Sequence, residues 1–125
     1  MTLLLLLYAE CPDAGQAARQ AEALCQALQQ VLPGSQPELT AIPERYWKIS
    51  GYFSFDLRVS GVTAHGYRRL LEAFPGDWWR CDDESNLEAV WNAGAGPALL
   101  IEAARWAQLV LPLGRALDEN APAGA

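Results

Sequence analysis

Leu3-Leu4-Leu5-Leu6-Leu7-Tyr8-Ala9 is an unbroken apolar run, and the way it is read decides the fold. It is too short to hold an independent helix and has the length of a buried strand, so it is expected to be a central strand covered on both faces. A signal peptide would add a basic segment and a small-x-small cleavage site. The run has neither, and its leucines stop at five. No stretch of the sequence approaches the ~20 apolar residues of a membrane span.

The pattern changes directly after the run. Asp13 can cap a helix in which Ala17, Ala21, Leu24, Leu28 and Val31 fall on one stripe, with Gln and Arg outside it, and Pro33-Gly34 stops that helix. Ser35 to Pro43 is polar and proline-flanked, with room for one short edge strand. From Trp47 to Val59 the odd positions are apolar and the positions between them mostly polar, which is the period of a strand. A two-residue turn at Ser50-Gly51 would break that parity, so one long strand bent or bulged at Gly51 is expected.

Thr63 can cap a second helix that presents Tyr67, Leu70, Leu71 and Phe74 on one face and stops at Pro75-Gly76. Trp78 to Cys81 and Leu87 to Trp91 then read as two short strands joined across Asp82 to Asn86. Residues 98–104 fit a helix or a strand equally. A last strand is expected from about Arg105 to Leu111, ended by Pro112. This order predicts a two-layer α+β fold, with two helices packed on a largely antiparallel β-sheet. It forms a single domain over residues 1–117, followed by a flexible tail at 118–125.

With 125 residues, one core is sufficient. Fifteen Asp+Glu against nine Lys+Arg leave a net charge of −6, a sign that repels phosphate backbones and anionic lipid and favours a basic partner. Three scattered cysteines, Cys11, Cys25 and Cys81, do not make a disulfide framework, and a reducing, cytoplasmic setting is expected.

No complete catalytic constellation can be assembled from these residues. His65 is the only histidine and reads as a surface residue of the second helix, and the isolated cysteines cannot supply a tetrahedral metal site. Cys11 sits where a helix begins, and the helix dipole there would lower its pKa, so a thiol enzyme or redox protein is one alternative. Glu10 and Asp13 argue against it. A self-associating accessory domain is another. Gly94-Ala95-Gly96-Pro97 lacks the further glycines or lysine of a nucleotide loop. Neither a cofactor nor a metal is expected, and a binding role is favoured over an enzymatic one.

The candidate binding residues are Trp78, Asp82, Asp83, Glu84 and Glu88, because aromatic anchors beside acidic side chains combine binding energy with choice of partner. Trp47, Trp91 and Trp106 are expected to be mainly buried, whereas at least one of the neighbours Trp78 and Trp79 should reach the surface.

One resemblance rests on this same half of the chain. Gly61, Leu70-Leu71, Pro75-Gly76-Asp77-Trp78, Asp82-Asp83-Glu84-Ser85, Ala89-Val90-Trp91-Asn92 and Arg105-Trp106-Ala107 together resemble small immunity proteins of bacterial polymorphic toxin and contact-dependent inhibition systems. The resemblance implies a stoichiometric inhibitor that binds a cognate toxin domain, one candidate being a basic nuclease domain.

Overall fold

The computed structural model describes residues 1–73, 78–92, 101 and 104–113. In chain order the elements are β1 (Leu3–Glu10), α1 (Ala14–Val31), β2 (Gln36–Leu39), β3 (Glu44–Arg45), β4 (Tyr52–Ser60), α2 (Ala64–Ala73), β5 (Trp79–Arg80), β6 (Asn86–Asn92) and β7 (Ala104–Pro112). The strands form a seven-stranded antiparallel sheet in the order β2-β4-β1-β7-β6-β5, with β3 also pairing with β4. β1 is therefore central, as its leucines predict. The predicted two-layer α+β architecture is the one observed.

Both helices begin on the caps expected of them. The Asp13 carboxylate accepts the Gln16 amide at 2.9 Å and the Thr63 hydroxyl accepts the Gly66 amide at 3.0 Å, each satisfying a donor that a first helical turn leaves open. α1 buries Ala17, Ala21, Leu24 and Leu28, and α2 buries Tyr67, Leu70 and Leu71. Phe74, Pro75 and Gly76 lie outside the described residues, as do the tail at 118–125 and most of 98–104.

The helices join Leu3, Leu5, Leu7, Ala9, Phe53, Phe55, Leu57, Leu109 and Leu111 in one core. Only one side of β1 takes part in it. Along the strand, burial alternates: Leu3, Leu5, Leu7 and Ala9 are sealed, Leu6 and Tyr8 are half-buried, and Leu4 is 38% exposed. The expectation of cover on both faces is thus overturned, because both helices of the described chain pack on the same side of the sheet.

A second expectation is also corrected. The segment from Trp47 to Val59 is not one strand, since β3 turns back into β4. The Tyr46 amide donates to the Tyr52 carbonyl at 2.8 Å, and residues 47–51 form the turn between them. Gly51 has φ of +82°, a left-handed conformation that costs little only without a Cβ. Trp47, expected in the core, is instead 83% exposed on this turn.

A register shift interrupts the pairing of β1 with β7. Tyr8 lies opposite Trp106 and Ala9 opposite Ala104, so Arg105 is the extra residue of a bulge. The Arg105 Nε then reaches the Glu10 carboxylate at 3.2 Å.

Candidate functional site

The sheet face away from the helices carries three cross-strand rows, which follow from the pairing register. Glu44, Ser54, Tyr8, Trp106 and Asn92 form the first. Asp56, Leu6, Gln108, Val90 and Trp79 form the second. The third runs Glu38, Arg58, Leu4, Val110 and Glu88. Side chains directly opposite on one face touch, so each row is a continuous strip of surface.

Apolar groups occupy the middle of the face and carboxylates its flanks. Leu4, Leu6, Tyr8, Trp106, Val90 and Val110 are only partly covered, and Trp79 is 70% exposed at the end of the second row. Glu44, Asp56 and Glu38 line one flank of this centre, and Glu88 ends the third row at the other flank. An apolar centre ringed by polar groups is the usual anatomy of a protein-binding surface. Arg58 is the exception to the acidic sign within the three rows.

At one end of this face the aromatic residues form a ladder. The Tyr46 and Tyr8 rings stack with centroids 4.4 Å apart, and Tyr8 and Trp106 stack at 5.1 Å. Ser54, small and directly beside Tyr8, lets Tyr46 lean across β4 from β3. Together with Ile49, Tyr52, Asn92 and Arg105, these rings line a cleft of about 530 Å³. Burial raises the Tyr8 pKa above its ordinary value, and the adjoining Tyr46 hydroxyl adds to the rise. Arg105 is held by Glu10 and also donates to its neighbour's carbonyl, that of Ala104, at 3.0 Å.

The five residues singled out in the sequence separate into two groups here. Asp82 pairs with Arg80 and accepts the Glu88 amide at 3.0 Å, while Asp83 accepts the amides of Ser85 and Asn86 at 2.7 and 2.8 Å. These two carboxylates build the β5–β6 turn. Glu84 is exposed beside them, and no hydrogen bond or ion pair engages it among the described residues. Glu88 lies on the open face and accepts from the Gln108 amide at 2.7 Å. Trp78 is half-buried against the core, and its neighbour Trp79 is the exposed one of the pair.

Sequence reasoning missed Tyr8, Tyr46 and Trp106 as site residues, and of the neighbours Trp78 and Trp79 it singled out the half-buried one. The available signal was period two. Applied to the leucine run as it was to β4, it places Leu4, Leu6 and Tyr8 on one face.

Two of the three thiols are held away from the reactive thiolate form. Cys11 is buried, and desolvation, reinforced by Asp13 and Glu10, raises its pKa, opposite to the expected effect of the helix dipole. Burial likewise raises Cys25, with Glu22 adding to it. Among the described residues no group of three His, Cys, Asp or Glu side chains could hold a metal ion. No helix of the described chain is long and apolar enough to cross a membrane. Compared with protein-family models, curated proteins and solved structures, the chain matches none of them.

Proposed function

We propose that this protein is an immunity-type inhibitor that lays the open face of its sheet against a basic toxin domain and neutralises it by direct contact in the cytoplasm of the producing cell. The carrying observation is the face itself, an apolar centre of Leu4, Leu6, Val90 and Val110 flanked by Glu38, Glu44, Asp56 and Glu88. Burying the centre against a partner supplies affinity, and the acidic flanks steer a basic surface into place. A nuclease toxin suits this charge pattern, because the groove that holds nucleic acid must itself be basic.

The acidic flanks disfavour pairing of two identical copies through this face, since like charges would meet around the rim. The thiol reading loses ground through the burial of Cys11. The resemblance of the C-terminal half to immunity proteins, part of which falls on Val90, Asn92 and Trp106 of this face, also supports the inhibitor role.

The test is to mix the purified protein with the toxin domain encoded next to it and follow toxin activity. One equivalent should abolish the activity. Full activity at molar excess would overturn the proposal.

A further inference from the structure

The lining of the aromatic cleft is rich in hydrogen-bond donors. Tyr8, Tyr46 and Tyr52 carry hydroxyls, Trp106 an indole N–H, Asn92 an amide and Arg105 a guanidinium, so every polar side chain of the lining has a proton to donate. The lining residues and their immediate sequence neighbours include three cations, Arg45, Lys48 and Arg105, and no carboxylate. Glu10 and Glu44 lie just beyond them. Three cations against two carboxylates leave one positive charge at this end of a chain whose net charge is −6. Arg45 and Lys48 rest over the Phe53 and Trp47 rings, outside the lining, so they contribute potential while Arg105 contributes contact.

The bulge in β7 provides that contact. Neighbours along a strand face opposite ways, yet Arg105 and Trp106 both line the cleft, because the extra residue breaks the alternation. Glu10 and the Ala104 carbonyl hold the guanidinium through Nε and Nη1. The pair with Glu10 is open to solvent, where such pairs are weak and a competing carboxylate can share the cation.

We infer that the aromatic cleft binds a small aromatic carboxylate, with its acid group at Arg105 and Asn92 and its ring against the aromatic walls. Ring-on-ring packing supplies affinity, and the charge-assisted donors select the acid. A bare inorganic anion would leave the apolar walls wet. An ammonium would meet Arg105 and find no carboxylate in the lining. At about 530 Å³ the cleft has room for a two-ring acid. Such a site stands apart from the inhibitor role, since it takes a small molecule and needs no toxin.

The test uses the intact protein. In proton–nitrogen correlation spectra the Trp106 indole N–H is followed as naphthoate, naphthylmethanol, naphthylmethylammonium or acetate is added. Naphthoate should shift Trp106 saturably and bind about threefold or more tighter than the alcohol, with the ammonium weakest and acetate without effect at the same concentrations. The indole of Trp79, which does not line the cleft, should stay still. Arg105→Gln should bring naphthoate down to the level of the alcohol while the dispersion of the spectrum shows an intact fold. Glu10→Gln, on the exposed partner, reads the same charge with the opposite sign and should tighten naphthoate about twofold. An unmoved Trp106, or an alcohol or ammonium that binds as tightly as naphthoate, would overturn the site. So would a preference for the acid that survives Arg105→Gln, or naphthoate binding that Glu10→Gln leaves unchanged or weakens.

Discussion

The two faces of β1 are built from nearly the same residue types and lead opposite lives. Leu3, Leu5 and Leu7 are sealed under α1 and α2, whereas Leu4 and Leu6, one position away on the same strand, remain partly open. Hydrophobicity does not separate them. What separates them is where the helices lie: α1 approaches closely through Ala17 and Ala21 on one side, and no described helix lies on the other. An apolar strand face left open in this way is stabilised little by folding and is available to a partner.

The largest expected effect tests that contrast directly. Leu7→Ala should destabilise the fold by about 3 kcal/mol in urea unfolding, through lost burial and the cavity left behind, while Leu6→Ala should cost under about 1 kcal/mol. Equal costs would mean that the second face is covered after all. Next comes Trp79→Ala, which, if the proposed inhibitor role holds, should weaken binding of the toxin domain by about tenfold in calorimetry, as truncation of an aromatic anchor does, with stability changed by less than about 0.5 kcal/mol.

The β5–β6 turn should divide in the same way between folding and binding. Asp83→Ala strips two turn amides of their acceptor and should lower stability by about 1 kcal/mol. Glu84→Lys should leave stability unchanged and instead slow association with the basic partner, most visibly at low salt.

The smallest effect belongs to the covered side. Tyr67 is buried there with Arg80 over its ring, and its hydroxyl has no hydrogen-bond partner among the described residues. Burial above all, then the nearby Asp82, raises its pKa above the ordinary 10.0. The folded protein therefore holds this proton more tightly than the unfolded chain does, so stability should fall as pH rises past 10. Cys11 and Cys25, raised above 9.0, should start the decline somewhat earlier. Tyr67→Phe should flatten the slope above pH 10 and change stability at pH 7 by less than about 1 kcal/mol, on the favourable side. Urea midpoints measured from pH 7 to 11 would show both.

Much of the fold was legible because it is local. The caps at Asp13 and Thr63, the Ala17 to Leu28 stripe and the meander from β5 to β7 depend on neighbours a few residues apart. The hairpin of β3 and β4 was hidden by a coincidence of spacing. A two-residue turn would have reversed the parity, but the turn that forms has five residues, 47–51, and an odd number keeps Trp47, Ile49 and Phe53 in step. The site was legible only in part for a different reason. Tyr8, Tyr46 and Trp106 meet through strand pairing between distant segments, and no local pattern reports that. Conversely, Asp82 and Asp83 read as surface charges because three of their bonds are to backbone amides, which a list of side chains does not display.

The outermost strands carry one more consequence. At one margin of the sheet β2 spans four residues with Pro37 among them, and at the other β5 spans two. Proline offers no amide to an incoming strand, and a pair of residues is too short a template for stable extension. Chains therefore have little means of adding to one another side by side into ribbons. Among the described residues, an apolar sheet face is thus left on view while both margins of the sheet offer a second copy little to extend.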